Sequence, residues 1–549
     1  MFLGLERVSP FDEAPEHEWI VHRILEHNAD LYPDFPFLHY EGNDYSHKQM
    51  NQRANRLARG IASLDLQFGD RVAVMMKNSP EYIDVWFALA KLGAVEVPLN
   101  TAYKGEILTH MLQNSGANIA VLDEEFLPIF ADILDRCVNL KKCIIHYDNS
   151  LTENVTIPIQ KHSLSGLPRG SENNLNKKIF PETLACIMFT SGTTGPSKGV
   201  MLNHQFEISF SIVFNEIVSL QKDDISYNFL PFFHIAGKFI LLGTLLVGGR
   251  MILRERLSIE NFWPDVRRYG ATVTVAVGGI CQMLYSAERQ QDDAENSLRM
   301  IYSVPNPHEV QEEFKQRFDL ELTEGYGSTE ANIVIYSRPD ESTPIGSCGR
   351  VAPYYEVKIV DPAGRQCPSG EAGEFAIRPK YPNTLMSGYY GMEEKSLEAF
   401  KDLWFHSGDR GYQDSNGYFY FLDRLKDAIR RRGENISSFE VERILNMHKD
   451  ISESAAIAVP AKLGEDEVKA IIVCNPGAKL HPVKLLEYCV EQMPYFMVPR
   501  YFEFKPSLPR TPTQKVRKIE LRNEGITENT WDCETSGLRV TRRGLTKIT

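Results

Sequence analysis

The chain has 549 residues, room for three or four units of roughly 150 residues each. Hydrophobic residues make up 43% and charged residues 24%, which excludes disordered, collagen-like and coiled-coil classes. With 73 acidic and 60 basic residues the formal net charge is −13, an acidic balance that disfavours general nucleic-acid binding.

A chain this long can bury large cores without disulfides or metals. Its nine cysteines run from Cys137 to Cys533 with no Cys-x-x-Cys pair, so free thiols in a reducing, cytoplasmic setting are expected. Cys137 and Cys143 read as buried thiols rather than a redox pair. Met1 to His17 lacks the apolar core of a signal peptide. The most apolar stretch, Phe229 to Gly249, carries Pro231, His234 and Lys238 and reads as a buried segment, so no integral membrane segment is expected.

In chain order, Glu18 to about Leu64 reads helix, strand, helix. Arg71–Met76 is a buried strand. A helix follows to Leu92, with Ser79 as cap, Pro80 in the first turn and Glu81 behind it. Gly93–Pro98 is a strand, Glu106–Ser115 a helix, Ile119–Leu122 a strand. Later come helix Ile259–Tyr269, strand Val273–Val277, helix Glu309–Phe318 and strand Glu321–Thr323. Alternating strands and helices predict a mostly parallel sheet covered on both faces. From Gly346 to Arg424, short alternating runs with frequent glycine predict a compact β-rich subdomain. From about Lys426 a small α+β unit of roughly 120 residues begins. It contains helix Ser438–Asn446, strands Ala455–Val459 and Ala470–Val473, and helix Pro482–Met493. The tail around Trp531, Arg542 and Arg543 reads as a partly disordered end.

The most informative string is Thr190-Ser191-Gly192-Thr193-Thr194-Gly195-Pro196-Ser197-Lys198-Gly199-Val200, after the apolar run Ala185–Phe189. Glycines let backbone N–H groups approach an anion, hydroxyls add donors and Lys198 adds a positive charge. The combination suits a triphosphate, although the Walker A spacing is absent.

This loop resembles the signature of the adenylate-forming superfamily of acyl-CoA synthetases, peptide-synthetase adenylation domains and beetle luciferases. The resemblance runs from about Glu18 to about Arg522. Phe232-Phe233-His234 resembles the aromatic-histidine motif beside the acyl pocket. Gly325-Tyr326-Gly327-Ser328-Thr329-Glu330 resembles the motif for adenine, phosphate and magnesium. Ser407-Gly408-Asp409 resembles the ribose motif, Asp423-Arg424-Leu425-Lys426-Asp427 the hinge, and Pro509 to Lys515 the segment bearing the adenylation lysine.

The resemblance implies a large N-terminal domain over residues 1–424. It would hold two layered αβ subdomains and a small β-rich one. A small, mobile α+β domain would follow over residues 425–549, with the hinge near 424–427 at Lys426. It implies ATP, Mg²⁺ and CoA with a small-molecule carboxylate, in a monomer or homodimer. Joining a carboxylate to the α-phosphate brings two anions together, so cations must sit where charge accumulates. Lys515 would bridge carboxylate and α-phosphate. Glu330 would ligate Mg²⁺, which prefers a carboxylate plus phosphate oxygens. Thr190, Ser191, Gly192, Thr193, Thr194, Lys198 and Thr329 would hold phosphates. Gly325, Tyr326 and Gly327 would face adenine, with Tyr326 stacked on it. Asp409 would accept both ribose hydroxyls, with Arg424 in support. His234, Phe232, Phe233 and Tyr302 would line the acyl pocket, with His234 counted among the catalytic candidates. Arg432, Gly433 and Glu434 would face CoA, Gly433 lining the pantetheine tunnel and the arginines beside it meeting nucleotide phosphates. Lys426→Pro would spare adenylation and cripple thioester formation.

Several positions depart from the family pattern. Gln514 replaces a glycine before Lys515, Asp423 a glycine before Arg424, and Ser197 a proline before Lys198. Tyr302-Ser303-Val304-Pro305-Asn306-Pro307 replaces a Gly/Ala-rich segment and suggests a narrower pocket. Arg432 to Ser437 and this segment most resemble crotonobetaine/carnitine–CoA ligases. The leading reading is an ATP-dependent acyl-CoA ligase for a small or medium acid. A carrier-loading adenylation enzyme and a luciferase-like oxidase of an acyl adenylate stay open.

Overall fold

The computed structural model describes residues 19–147, 155–190, 196–277, 280–338, 340–424, 428–461, 465–509 and 516–548. The chain divides into two compact units. One comprises Met1–Thr101, Leu112–Phe189 and Gly199–Asp423; the other comprises Ala102–Met111, Thr190–Lys198 and Arg424–Thr549.

The first unit is built on parallel strands, the central ones largely apolar as strands buried on both faces must be, with a polar strand, Gln160–Ser163, at one edge. Arg71–Met75 pairs in parallel with Val95–Pro98 and with Ile119–Asp123, the latter with Lys142–His146, and that with Gln160–Ser163. Leu184–Thr190 and Lys198–Asn203 complete this seven-stranded sheet. A second seven-stranded sheet runs Glu321–Thr323, Met300–Val304, Val273–Val277, Ile225–Asn228, Arg250–Leu253, Pro36–Tyr40, Asn43–Ser46. Its final pair is an antiparallel hairpin where one strand is expected from sequence. Asn43 and Asp44, the polar start of the second strand just past the Glu41–Gly42 turn, made it look like loop.

Helices His47–Ala62 and Pro80–Leu92 pack on one another, as do His204–Val218 and Ile235–Leu246. Pro80–Leu92 starts as expected: the Ser79 hydroxyl accepts the Tyr82 N–H at 3.1 Å. It ends at Gly93, in the left-handed region with φ 67°. The Phe229–Gly249 segment is buried as expected, forming helix Ile235–Leu246. Among the described residues no helix is long and apolar enough to cross a membrane. The helix expected from Glu309 begins at Gln311, behind a short 3₁₀ turn, His308–Val310. The β-rich part pairs Tyr355–Val360, Gly373–Pro379 and Trp404–Gln413 in antiparallel order.

The second unit centres on Ile451–Pro460, Asp466–Cys474, Tyr501–Phe504 and Trp531–Asp532. Helix Ser438–Asn446 packs on the first of these strands. The tail is ordered, contrary to expectation. Trp531 packs on Phe502 with centroids 6.0 Å apart, and Asp532 pairs with Arg500 at 2.9 Å. Leu538–Thr541 and Gly544–Lys547 form a hairpin with Val540 buried. These few apolar anchors lie among polar residues, which is why composition alone suggested disorder.

Three of the described lysines are buried: Lys91, paired with Glu26, Lys238 and Lys469. In the first unit Lys238 pairs with Glu96, which also accepts the Tyr82 hydroxyl at 2.8 Å. Glu207 lies 3.8 Å from Lys238, and Lys238 sits 3.8 Å over the Trp86 ring. In the second unit Lys469 pairs with Glu503, whose Oε2 also accepts the hydroxyls of Thr527 and Thr530 at 3.0 Å each. All nine cysteines are free thiols, seven of them buried, Cys137 and Cys143 included.

Candidate active site

In the first unit, Gly325–Ser328 and Asn332–Tyr336 form a hairpin with an irregularity between Tyr326 and Gly327. Two of its glycines are steric necessities. A Cβ on Gly327 would lie 2.1 Å from the Asn332 carbonyl oxygen, and one on Gly325 would lie 2.7 Å from the Tyr302 hydroxyl. The hairpin carries Thr329 and Glu330 just past its first strand.

Glu330 is tied to the strand leaving the Ser/Thr/Gly loop. Val200 bridges Tyr389, the Tyr390 N–H donates to the Gly199 carbonyl at 2.8 Å, and the Met386 N–H to the Glu330 carbonyl at 2.9 Å. The Tyr389 hydroxyl donates to Glu330 Oε1 at 3.2 Å. Burial and the adjoining carboxylate push the Tyr389 hydroxyl far above its usual range, so it remains a donor. Sequence reasoning missed Tyr389, which stands 59 positions away.

Asp409 is buried, and its Oδ2 accepts the Tyr326 hydroxyl at 2.8 Å. Two residues assigned to one nucleotide are thus joined directly. The Tyr326 ring lies on Phe375, with centroids 4.5 Å apart and planes 21° apart. Glu324, just ahead of the hairpin, is buried and pairs with His308 at 2.8 Å. Burial raises the Glu324 carboxyl, and the hydrogen bond to Glu324 raises His308. Neither residue was singled out from sequence, although Glu324 adjoins the motif.

Phe232 is fully buried against Tyr82 and Trp86, at 5.2 and 6.1 Å. Its N–H donates to Asn78 Oδ1 at 3.1 Å, which fixes the turn before helix Ile235–Leu246. Phe233 and His234 are half-buried neighbours with centroids 4.8 Å apart. Tyr302 is buried between Phe214 and Phe239, 6.4 and 6.5 Å away.

In the second unit, Thr190 and Lys198 are half-buried at the ends of the loop; Ser191, Gly192, Thr193 and Thr194 lie outside the described residues. Ser197 donates its N–H to Glu440 Oε1 at 3.0 Å and its hydroxyl to the same oxygen. Glu440 is buried, which raises its carboxyl against the pull of these bonds. Lys426 and Lys515 lie outside the described residues, as does the side chain of Arg424.

Ala428–Arg431 and Glu434–Ser437 form a hairpin. Its two turn residues, Arg432 and Gly433, both have positive φ, 55° and 78°. Gly433 therefore answers a turn requirement as well as the absence of a side chain. The expectation that the arginines beside Gly433 meet phosphate needs correction at Arg431. That guanidinium is buried, donates to the carbonyls of Phe496 and Val498 at 3.0 and 2.7 Å, and pairs with Glu467 at 2.6 Å. Arg432 is exposed and donates to the Val540 carbonyl at 3.3 Å. Glu434 is half-buried.

Among the described residues no three His, Cys, Asp or Glu side chains converge as a metal cage. A single carboxylate such as Glu330 is a hard oxygen donor that fits Mg²⁺, an ion that completes its shell with phosphate oxygens and water.

Comparison with known proteins gives the family. The AMP-binding enzyme family model matches residues 25–390, and the AMP-binding enzyme C-terminal domain model matches residues 440–515. A crotonobetaine/carnitine–CoA ligase of Salmonella agona is 32% identical over 506 residues, covering 90% of this chain and 97% of that protein. The o-succinylbenzoate CoA synthetase of Bacillus subtilis shares the fold at TM-score 0.80 and 24% identity, over 91% of this chain and 98% of its own. MatB of Rhodopseudomonas palustris is 26% identical at TM-score 0.65, over 93% and 99%. The chain belongs to the AMP-binding enzyme family, as an AMP-forming acid–CoA ligase.

Proposed function

We propose that this chain activates a small or medium carboxylic acid in two steps. A carboxylate oxygen attacks the α-phosphorus of ATP, the bond to the β-phosphate oxygen breaks, and pyrophosphate leaves with the electron pair. The sulfur of CoA then attacks the acyl carbonyl, the bond to the phosphate oxygen breaks, and AMP leaves while the thiol proton passes to solvent.

The observation that carries this reading is the link from the loop-exit strand through Tyr389 to Glu330, beside the Asp409–Tyr326 pair in the same unit. It supports a carboxylate beside the phosphates and another at the ribose. Glu330 would hold Mg²⁺, which supplies charge neutralisation on the phosphates, and Thr329 would donate to a phosphate oxygen. Thr190, Lys198 and the intervening loop would grip the triphosphate, Lys515 would stabilise charge at the α-phosphate, and Arg424 would support the ribose. His234 and Phe233 would border the acyl site, and Arg432, Gly433 and Glu434 the CoA path. The domain boundary at 424/425 and the hinge at Lys426 belong to the same reading.

Substrate size is argued from Tyr302. Its hydroxyl lies against Gly325 and its ring among Phe214 and Phe239, which favours a compact acyl site. The 32% identical relative makes carnitine- and crotonobetaine-like acids the first to try.

The test measures AMP and pyrophosphate release over a panel from acetate to palmitate, with carnitine, crotonobetaine and aromatic acids, with and without CoA. Turnover should require CoA and favour the small acids. Lys515→Ala should lower the adenylation rate by about 10²- to 10³-fold, the usual loss for a group placed on developing charge. Exchange of pyrophosphate into ATP that ignores CoA would instead identify a carrier-loading enzyme, and light emission an oxidase.

A further inference from the structure

Asp409 owes its position to an irregular strand. Strand Trp404–Gln413 pairs with Gly373–Pro379 through Glu374↔Arg410 and Ala376↔His406, with a register shift between. Between those pairs, Ser407, Gly408 and Asp409 stand opposite Phe375 alone. Such a bulge frees backbone groups from the ladder and re-aims side chains, at a cost in hydrogen bonds.

One side chain spans this bulge. Glu374 Oε1 accepts the Gly408 N–H at 2.9 Å, and Glu374 Oε2 meets His406 Nδ1 at 2.8 Å. Gly408 has φ 74°, a backbone state that disfavours any side chain. The Asp409 N–H then donates to the Ser407 hydroxyl at 3.1 Å, and its carboxylate accepts Tyr326 at 2.8 Å. Glu374 and His406 are themselves mostly buried, at 21% and 13% side-chain exposure, so water competes weakly for these bonds.

We propose that Glu374 is a positioning residue for nucleotide recognition: it clamps the bulge so that Asp409 meets both ribose hydroxyls, and so sets the preference for ATP over 2′-deoxy-ATP. This rests on the assignment of Asp409 to ribose. Glu374 touches no substrate in this account and acts through Gly408 and Asp409.

The test compares kcat/KM for ATP and 2′-deoxy-ATP in carboxylate-dependent pyrophosphate release by the full chain. Glu374→Ala should reduce the ATP preference by about tenfold, mostly through a higher KM for ATP, the scale of one or two buried hydrogen bonds. Glu374→Gln keeps an acceptor for the Gly408 N–H and, with His406 in its other tautomer, the second link. It should therefore stay within about twofold of wild type in that ratio. Gly408→Ala reaches the same bulge by another route. Its Cβ would meet nothing within 4 Å, so only the backbone is strained. It should also lower the preference, and it carries the test if Glu374→Ala does not fold.

A Glu374→Ala enzyme that slows equally with both nucleotides, keeping the wild-type ratio, would overturn the proposal and leave a purely structural carboxylate. If wild type shows no ATP preference and Asp409→Asn changes nothing, the ribose assignment itself falls, and this proposal with it.

Discussion

The two units each bury a lysine against glutamate, yet they treat the carboxylates in opposite ways. In the second unit burial acts to raise Glu503, but bonds from Lys469, Thr527 and Thr530 outweigh it, and the carboxyl ends below its usual range. In the first unit Glu207 has Lys238 at 3.8 Å, with neither carboxylate oxygen in a well-formed hydrogen bond. There burial wins over Lys238, and the carboxyl is pushed up to about 7. The lesson is that a counter-charge bonded directly to the acid, with two hydroxyl donors beside it, keeps the carboxylate ionised, whereas one 3.8 Å away and paired with Glu96 does not.

The largest effect should come from Lys238→Met, which leaves Glu96 and Glu207 buried without their cation. Breaking a buried pair in this way costs about 3–5 kcal/mol, read as a drop in the denaturation midpoint. Lys469→Met should cost less, because Glu503 keeps both hydroxyl donors. The reverse order in the two midpoints would break the comparison. Next, Thr527→Val with Thr530→Val should remove those donors, destabilise by about 1–3 kcal/mol and raise the Glu503 carboxyl in a pH titration of stability.

The smallest effect is the pH slope attached to Glu207. Between its unfolded value near 4.5 and its folded value of about 7, the native state holds a proton that the unfolded chain has lost. Stability from this group therefore falls as pH rises through that window and is level above it. Glu207→Gln should flatten the slope; an unchanged profile in urea denaturation at several pH values would show that Glu207 is ionised throughout.

Local signals in the sequence foretold much of the fold and picked out the candidate site residues that lie within single motifs. Ser79-Pro80 announced a helix start that the structure keeps, and the apolar runs at Arg71 and Val273 announced buried strands. Gly325 to Glu330 and Ser407 to Asp409 are continuous strings, so their resemblance to family motifs could be seen without the fold. The supports were illegible because they come from distant chain. Glu440 stands 243 positions from Ser197, Tyr389 stands 59 from Glu330, and Glu374 stands 34 from Gly408. Arg431 was misread for a related reason: a run of three arginines beside Gly433 looks like a phosphate contact, and only tertiary packing turns the middle of the three inward. The tail's hairpin depends on a few anchors, Trp531 and Val540 among them, whose partners a local pattern does not contain.

The buried cysteines have a chemical consequence for an enzyme whose co-substrate is itself a thiol. Burial pushes Cys137 and Cys533 up to about 11, and Cys143, Cys281 and Cys348 up to about 12. At neutral pH a thiol at 11 is ionised in only about one molecule in 10⁴, and exchange requires the thiolate. These buried thiols therefore offer oxidised CoA almost no nucleophile to attack it, and an acyl thioester is likewise safe from transfer onto them. Mixed disulfides and self-acylation, the side reactions natural to this chemistry, are suppressed at those positions by the packing that holds the core together, which leaves the half-buried Cys367 and Cys474 as the accessible sulfurs.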